Sequence, residues 1–390
     1  MNLNLYGSTG EIGKKTLELI TNYYPKIKVN LLCADKNVNL IFKQIKLYKP
    51  KFVYLYNNNA SNLLKSKIKN KTKNNIKTKV LNFVELSFFL KNTKSDLSIL
   101  AISGYKSLYF LEDIIFNTNN LGLVNKEAIV SAGHIFKKNG FFKKTNIFPI
   151  DSEHFSIFEY FHSLDISKKI QKIILTASGG PFHQHKYQSL KNVSFNRAIK
   201  HPKWKMGYKN SIDSATLVNK CLEVIEAHYL FNIPFKKIDV LIHPQAIVHS
   251  IIVNNNYVTN YNLFKNDMSI PLLNFLDLSK FKTKKYNNDL NVSYLSKMEF
   301  KPITHEIFPI YKFFIKLDKS KPSNLIKFNI GNQLAVDMFR QKIIKYTEII
   351  KIIKKVVSLN LNSPLNNIKD IIKYHESIED KCKLLFKDIN

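Results

Sequence analysis

The N-terminal part of the chain alternates short apolar runs with amphipathic ones. Asn2–Tyr6 and Lys28–Ala34 have the length and composition of buried strands, and residues 14–24 between them repeat apolar side chains with helical period. Further strand-like runs cover residues 51–57, 79–83 and 96–103. Strands that alternate with helices in this way predict βαβ units and a parallel sheet.

A glycine-rich turn separates the first predicted strand from the first predicted helix. Gly7, Gly10 and Gly13 have the spacing GxxGxxG rather than GxGxxG, but they stand between a strand and a helix, as in a dinucleotide-binding turn. The polar residues Asn125–Glu127 follow a later strand. Because open α/β sheets bind ligands at the carboxyl ends of their strands, this part of the chain is predicted to bind a dinucleotide.

Carboxylates stand close together after Pro149. Asp151 and Glu153 flank Ser152 at the start of a predicted helix. Two carboxylates at this spacing can ligate a hard divalent cation, and Glu223 could supply a third. The alternative is an ordinary helix cap with a surface acid, which the spacing alone leaves open.

Residues 201–226 contain a second group of polar side chains. Ser211 and Asp213 are N-cap types that precede a run with helical period, and Ser214 stands near the same helix start, where an anion can bind. Within the run, three polar residues fall on one side of the helix between apolar flanks: Asn219, Lys220 and Glu223. This stripe favours a helix that faces a polar cavity, with an exposed helix as the alternative.

Two loops and one pair of strands complete the candidate chemistry. Residues 172–182 predict a strand that runs into a Ser-Gly-Gly turn at 178–180, where the hydroxyl of Ser178 is available to an oxyanion. Trp204 lies between His201 and Gly207, either as packing or in a lid over a substrate. Residues 237–253 are predicted as a strand pair whose two histidines, at positions 243 and 249, are not taken as ligands.

Composition excludes several classes of protein. Hydrophobic residues make up 45% of the 390 and aromatic residues 12%, which is typical of a globular chain. The longest apolar run, Val240–Val253, is interrupted by polar residues and predicts no membrane span. The N-terminus begins with a strand and predicts no signal sequence. The isolated cysteines at positions 33, 221 and 382 indicate a reducing compartment without a disulfide framework.

The charge of +31 raises nucleic acid as a partner. The excess is almost all lysine, spread along the chain, because Arg197 and Arg340 are the only arginines. Base-edge contacts and bidentate phosphate contacts favour arginine, so we predict no nucleic-acid partner.

Taken together, the motifs resemble the 1-deoxy-D-xylulose 5-phosphate reductoisomerase family. They occur in the family's order over nearly the whole chain: GSTGEIG, NKE, PIDSEH, LTASGGPF, HPKWKMG, SIDSATLVNKCLEVIEA, LIHPQAIVHS and FNIGNQLAVDMF. The resemblance implies an α/β protein with a Rossmann-like NADPH-binding domain at residues 1–149. It also implies an α+β catalytic domain at residues 150–281, which contains a flexible flap at about 200–209. A connector at 282–307 would then lead to a C-terminal α-helical domain at 308–390.

The resemblance also implies roles for individual residues. Mg²⁺ or Mn²⁺ would be held by Asp151, Glu153 and Glu223, which with Lys220 form the catalytic set. Substrate would be bound by Ser152, Glu153, Ser178, His201, Ser214, Asn219, Lys220 and Glu223. NADPH would be bound by Gly7, Ser8, Thr9, Gly10, Glu11, Ile12, Lys36, Asn37, Asn125, Lys126, Glu127 and Gly207. Trp204 and Met206 would lie on the flap.

The implied reaction is the metal-assisted rearrangement of 1-deoxy-D-xylulose 5-phosphate, followed by reduction with NADPH to 2-C-methyl-D-erythritol 4-phosphate. The resemblance further implies a homodimer in a bacterial cytoplasm or an organelle stroma. A plain NADP-dependent dehydrogenase would not need the carboxylates Asp151 and Glu153 together with the distant Glu223. A semialdehyde-dehydrogenase-like enzyme would need a nucleophilic cysteine in a recognisable catalytic setting.

The chain departs from the family's usual pattern at four places. Glu11 replaces a serine in the glycine turn, Asp35 replaces a glycine, Ser269 replaces an arginine, and NQLAV stands for NEVAV. Asp35 suits a free ribose hydroxyl, whereas Lys36 suits a 2′-phosphate.

Overall fold

A computed structural model describes residues 1–69, 76–136, 138–164, 170–202, 206–287, 292–361 and 363–386. The chain forms two compact units. The first comprises Met1–Asn125, Phe136–Asp151 and Asp267–Asn288, and the second comprises Lys126–Ile135, Ser152–Asn266 and Asp289–Asn390. The finer division at residues 149, 281 and 307 stays a prediction.

The regular elements alternate as the sequence pattern indicates. The strands are β1 (Asn2–Tyr6), β2 (Lys28–Ala34), β3 (Phe52–Leu55), β4 (Lys79–Leu81), β5 (Ser95–Leu100), β6 (Thr118–Leu123), β7 (Asn146–Pro149), β8 (Ile170–Ala177), β9 (Ile238–Ile242), β10 (Val248–Asn254) and β11 (Thr259–Leu263). The helices are α1 (Glu11–Tyr23), α2 (Val38–Tyr48), α3 (Asn58–Lys69), α4 (Phe83–Asn92), α5 (Leu108–Phe116), α6 (Lys126–Phe136), α7 (Phe141–Lys144), α8 (Ser152–Leu164), α9 (Phe195–Ala198), α10 (Tyr208–Ala215), α11 (Val218–Phe231), α12 (Ser269–Asp277), α13 (Pro309–Lys316), α14 (Pro322–Arg340), α15 (Ile349–Val357) and α16 (Ile368–Leu385).

The first unit is built on a seven-stranded parallel sheet. Its strand order is β4-β3-β2-β1-β5-β6-β7, so the chain moves outward in one direction from β1 to β4 and then returns to add β5 on the other side of β1. The central strands are buried on both faces, and polar side chains such as Asn4 and Ser98 are buried along with the apolar ones. The switch point between β1 and β5 is where an open α/β sheet binds its ligand, and the glycine turn follows β1 there. The predicted fold class is confirmed.

A distant helix completes the first unit. The hydroxyl of Tyr24, at the end of α1, donates to the carbonyl oxygen of Leu273 at 3.1 Å and to Oδ1 of Asp277 at 2.6 Å. Phe148 packs against Phe275 with ring centroids 5.6 Å apart. These contacts join α1 and β7 to α12, so α12 packs with the N-terminal sheet.

The second unit contains a mixed four-stranded sheet and most of the remaining helices. The strand order is β11-β10-β8-β9, with β10 antiparallel to both neighbours and β9 parallel to β8. The two strands predicted within residues 237–253 are confirmed as β9 and β10, but they are not neighbours in the sheet, because β8 lies between them. Helix α8 packs on this sheet, where Ser156 Oγ donates to Ser250 Oγ at 2.6 Å.

The C-terminal helices belong to this second unit. The predicted helical pattern after residue 308 is confirmed by α13 to α16. A side chain at Gly331, in α14, would lie 3.1 Å from the Cα of Ile353, so glycine permits close packing of α14 on α15. The hydroxyl of Tyr346 donates to the carbonyl oxygen of Ala215 at 2.9 Å and ties this helical layer to α10.

The predicted helix start at Ser211 or Asp213 is wrong. Two helices cover this stretch, and Ser211 and Asp213 lie inside the first of them, α10. Leu217 separates α10 from α11 with a φ of 65°, a left-handed conformation that sequence preferences do not predict for leucine. Among the described residues, no helix is both long and apolar enough to cross a membrane.

Candidate active site

The glycine turn after β1 requires glycine at two positions. Gly7 has a φ of +95°, and a Cβ there would lie 2.4 Å from the carbonyl oxygen of Ala101, directly after β5. A Cβ at Gly13 would lie 2.3 Å from the carbonyl oxygen of Gly7. The glycine turn thus packs closely against both the chain after β5 and the start of α1. Gly10 is exposed and directly precedes the free N–H groups of that helix.

The other predicted cofactor residues of the first unit lie on the loops after β1, β2 and β6 or in the first turn of α1. Thr9 and Ile12 are half-buried, and the exposed Glu11 pairs with Lys14 at 2.6 Å. Lys36 and Asn37 are exposed after β2, and Asn37 caps α2 by accepting from the N–H of Leu40 at 3.1 Å. Asn125 is buried and donates to the carbonyl oxygens of Ile102 and Gly104. The predicted cofactor residues Lys126, Glu127 and Gly207 belong to the second unit.

The polar stripe of α11 is buried, so the alternative of an exposed helix is wrong. The Nζ of Lys220 lies 2.8 Å from Oε1 of Glu153, in the first turn of α8, and also contacts the carboxylate of Glu223. Glu223 is 1% exposed. Asn219 donates to Glu223, and the Nζ of Lys126 lies 2.9 Å from Glu223 Oε1.

Three carboxylates converge at this place. Asp151 directly precedes α8 and is 9% exposed, so neither it nor Glu153 is the surface acid of the alternative reading. Asp151, Glu153 and Glu223 each offer a carboxylate oxygen, and these atoms lie within 4.8 Å of one another. Because all the donors are oxygens, the set fits a hard cation such as Mg²⁺ or Mn²⁺ rather than a thiolate-bound metal.

The carboxylates keep Lys220 charged inside the protein. Burial acts to lower its pKa, but the carboxylates of Glu153 and Glu223 outweigh burial and hold the pKa above the ordinary value of lysine. Lys220 is therefore a fixed ammonium donor at neutral pH.

A second cluster consists of Ser178 and Ser214, one from each predicted anion site, and the imidazole of His201. The Nε2 of His201 lies 3.0 Å from Ser178 Oγ, after β8, and 3.0 Å from Ser214 Oγ, in α10. The Ser178 hydroxyl also accepts from the N–H of Gly180 at 3.3 Å. Burial lowers the pKa of His201 to about 4, so the imidazole is neutral at pH 7. The predicted substrate residue Ser152 is buried and donates instead to the carboxylate of Glu153.

Two residues that sequence reasoning missed, Lys209 and Asn332, help to hold this site in place. The buried Lys209 pairs with Asp213 at 2.6 Å and with Glu127 at 3.5 Å, and Asn332 of α14 donates to Asp213 at 2.8 Å. Burial acts to lower the pKa of Lys209, but Asp213 and Glu127 outweigh it and the pKa is raised. The i, i+4 spacing of Lys209 and Asp213 was a usable signal, whereas the contacts with Glu127 and Asn332 depend on the tertiary fold.

His154 supports the carboxylates from beneath. Its Nε2 lies 2.9 Å from the backbone carbonyl oxygen of Glu223, and its Nδ1 lies 3.4 Å from Oε2 of Glu226. Because a carbonyl oxygen only accepts, Nε2 carries a hydrogen and the ring is oriented between α8 and α11. Both His154 and Glu226 are fully buried.

The histidines at positions 243 and 249 are buried in the core. His243 stacks on Phe300 and its Nδ1 lies 2.9 Å from the carbonyl oxygen of Glu299. His249 stacks on Phe264 in the same way. On the predicted flap, Met206 and Gly207 are described and Gly207 immediately precedes α10, whereas Trp204 lies outside the described residues.

The glycine turn at the switch point and the oxygen-rich, lysine-containing site are typical of a nucleotide-dependent enzyme that uses a divalent cation. Comparison with protein families is more specific. Residues 3–133 match the model of 1-deoxy-D-xylulose 5-phosphate reductoisomerase, and residues 147–231 and 263–381 match two models of its C-terminal domain. The chain belongs to the 1-deoxy-D-xylulose 5-phosphate reductoisomerase family, as the motifs predicted.

Individual relatives agree. The reductoisomerase of Thermodesulfovibrio yellowstonii is 34% identical over 371 residues, 95% of each chain. That of Pelagibacter ubique is 36% identical over 361 residues, 90% of this chain and 89% of the relative. Among solved structures, the Zymomonas mobilis reductoisomerase in complex with NADPH has a TM-score of 0.84 at 28% identity and covers 98% of each chain. A reductoisomerase complex with NADPH, fosmidomycin and magnesium has a TM-score of 0.89 at 26% identity, covering 100% of this chain and 99% of that one.

Proposed function

We propose that the protein converts 1-deoxy-D-xylulose 5-phosphate into 2-C-methyl-D-erythritol 4-phosphate, with NADPH and Mg²⁺ or Mn²⁺. The observation that carries this proposal is the convergence of Asp151, Glu153 and Glu223, the last two in contact with the buried ammonium of Lys220, in a chain of this family. Related structures contain NADPH, magnesium and fosmidomycin, which agrees with the same set of ligands.

The three carboxylates would hold the cation, and their oxygens are the ligands that a hard divalent ion prefers. When bound, the metal would supply Lewis acidity for the rearrangement and NADPH would supply the hydride for the reduction. The hydrogen bond of His154 would fix α8 relative to α11, so that Glu153 and Glu223 stay oriented toward one point.

Lys220 and Asn219 would orient the hydroxyl and carbonyl groups of the substrate. Lys220 stays protonated because two carboxylates face it, so it donates hydrogen bonds to substrate oxygens. The amide of Asn219 offers both a donor and an acceptor beside it. These groups come from successive positions of one rigid helix, which fixes their relative geometry.

The substrate phosphate would bind at Ser178, His201 and Ser214. Two hydroxyls and a neutral imidazole can each donate to phosphate oxygens, and none of them carries a negative charge that would repel the ligand. A phosphate held at a separate cluster supplies binding energy without taking part in the chemistry.

The first unit would bind NADPH at the glycine turn. The N–H groups at the start of α1 and the backbone around Gly7–Gly10 suit a pyrophosphate, and Lys36 suits the 2′-phosphate. Thr9, Ile12 and Asn37 complete the proposed contacts of this unit. Lys126, Glu127 and Gly207 are also proposed as NADPH-binding residues.

We also propose a homodimer that forms through β11. This strand is the edge of its sheet, so one row of its backbone hydrogen-bonding groups is available to a second copy. Tyr257, Val258 and Tyr261 on this hairpin are 89%, 52% and 50% exposed. A bacterial cytoplasm or an organelle stroma is the proposed location, since the curated relatives are bacterial enzymes.

The test is NADPH oxidation by purified protein with 1-deoxy-D-xylulose 5-phosphate and Mg²⁺ or Mn²⁺, repeated with EDTA and with NADH. We expect turnover that EDTA abolishes and that excess metal restores. Turnover that is insensitive to EDTA would favour a plain dehydrogenase instead. No turnover from protein that still binds NADPH would contradict the proposed reaction.

A further inference from the structure

The side-chain amide of Gln44 holds the glycine turn at two points. Ser8 Oγ donates to Gln44 Oε1 at 2.8 Å, and Gln44 Nε2 donates to the carbonyl oxygen of Ser8 at 2.8 Å. Gln44 is 5% exposed and Ser8 is fully buried. Both ends of one amide are therefore committed to one residue of the turn.

The polar groups of Ser8 all have partners within the chain. Its N–H donates to the carbonyl oxygen of Cys33 at 2.9 Å, beside the N–H of Gly7, which donates to the same oxygen at 2.8 Å. Its carbonyl oxygen and hydroxyl are bonded to Gln44. The hydrogen bonds of Ser8 therefore fix the turn to both β2 and α2.

The position of Gln44 connects two parts of the proposed cofactor site. Gln44 lies on α2, which begins directly after Lys36 and Asn37, the residues proposed for the ribose phosphate. Ser8 lies within the turn proposed for the pyrophosphate. We propose that Gln44 is a positioning residue for NADPH that fixes the distance between these two parts without touching the cofactor. This inference rests on the proposed function.

Removal of the amide should loosen that connection. Methionine fills a volume similar to that of glutamine but leaves the hydroxyl and the carbonyl oxygen of Ser8 buried without their partner. The turn would then relax away from α2 to find new hydrogen bonds, and the pyrophosphate and 2′-phosphate contacts could no longer form together.

The experiment measures NADPH binding by fluorescence titration and steady-state kinetics in the full-length protein. For Gln44→Met we expect the NADPH dissociation constant to rise about tenfold, while kcat at saturating NADPH and KM for the sugar phosphate change less than about twofold. Combined with Lys36→Ala, the loss should be smaller than the product of the two single losses, because the contacts are coupled.

A matched control separates positioning from stability. Thr118, the first residue of β6, is 1% exposed, and its hydroxyl oxygen lies 2.9 Å from Ser98 Oγ and 3.0 Å from Ser95 Oγ. Thr118→Val keeps the shape of the side chain and removes these buried hydrogen bonds from the same sheet, at the end opposite the turn. It should lower the melting temperature and leave NADPH affinity unchanged.

The outcomes distinguish the two proposals. Wild-type protein that neither binds NADPH nor turns over would contradict the proposed function and this inference with it. If wild-type protein binds NADPH, equal affinities of wild type and Gln44→Met would overturn only the role of Gln44. Should Gln44→Met fail to fold, Ser8→Ala replaces it, with an expected rise of roughly threefold; an unchanged constant would again overturn the inference.

Discussion

The Nζ of Lys220 lies 2.8 Å from Oε1 of Glu153 and joins α11 to α8 at the centre of the candidate site. With Lys126, it places two ammonium groups beside the carboxylates of Asp151, Glu153 and Glu223. Three negative charges and two positive charges give a formal balance of −1. A divalent cation would change this balance to +1, which suits a phosphorylated substrate whose oxygens gain charge during reaction.

Glu223→Gln tests the metal assignment. The substitution removes one carboxylate charge and keeps the shape of the side chain. We expect the affinity for Mn²⁺ and the turnover to fall at least about 100-fold, because a ligand matters more than the groups that orient it. Mn²⁺ binding is followed by electron paramagnetic resonance, independently of activity.

The control for this variant is Glu226→Gln, three residues further along the same helix. Glu226 is equally buried but faces His154 rather than Lys220, so Mn²⁺ affinity should fall clearly less than in Glu223→Gln. The same change in Mn²⁺ affinity in both variants would argue against a specific ligand role of Glu223. Asp151→Asn should behave like Glu223→Gln.

Ser178→Ala and Ser214→Ala test the phosphate site. Each removes one hydroxyl beside the Nε2 of His201. A hydrogen bond to a charged group contributes about 1.5–3 kcal/mol, so each variant should raise KM for 1-deoxy-D-xylulose 5-phosphate roughly tenfold or more and change kcat less. Ser189→Ala, at an exposed position of a short 3-10 helix, is the control. A KM that stays at the wild-type value in both variants would place the phosphate elsewhere.

The sequence predicts local patterns of this site better than its tertiary contacts. The bounds of β1 and β2, and the polar stripe with Asn219, Lys220 and Glu223, follow from periodicity within one segment. The break at Leu217 does not, because a left-handed leucine persists only when surrounding contacts enforce it.

Contacts between distant segments of the chain could not be predicted from the sequence either. The pair of Ser8 and Gln44 joins a turn to the next helix but one, and nothing in the spacing of the two residues marks it. The pair of Glu127 and Lys209 joins segments from different parts of the chain. The low pKa of His201 follows from burial, which the sequence around it does not reveal.

Lys36→Ala tests cofactor choice. Lys36 is exposed at the end of β2, where its ammonium can pair with a 2′-phosphate that NADH lacks. We expect KM for NADPH to rise roughly five- to tenfold, and KM for NADH to stay constant, because only one cofactor loses an interaction. Lys28→Ala, at the other end of the same strand, makes the same change in charge and should alter neither value. A constant ratio of the two KM values would assign the preference to another residue.

Val258→Lys with Tyr261→Lys tests the proposed dimer. A two-fold axis through β11 would bring identical lysines together on an edge strand, and their repulsion should convert the dimer into a monomer at micromolar concentration. Sedimentation equilibrium gives the mass directly. Leu63→Lys, on α3 of the first unit and 60% exposed, adds a lysine that is not on β11 and should leave the mass unchanged. A dimer that survives the double substitution would rule out β11 as its interface.

His375→Gln tests the pH dependence of stability. His375, in α16, is fully buried with Nε2 2.9 Å from Ser131 Oγ of α6, and burial lowers its pKa to about 3. The unfolded chain binds this proton near pH 6.5, so between about pH 3 and pH 6.5 the unfolded state holds one more proton than the folded state. The free energy of unfolding should therefore decrease as the pH falls through this window, by up to about 1.4 kcal/mol for each pH unit from this group. Glutamine can still bond to Ser131 but does not titrate, so urea unfolding should give a shallower pH dependence for His375→Gln than for the wild type. Parallel curves for the two proteins would mean that the folded state also takes up a proton at His375.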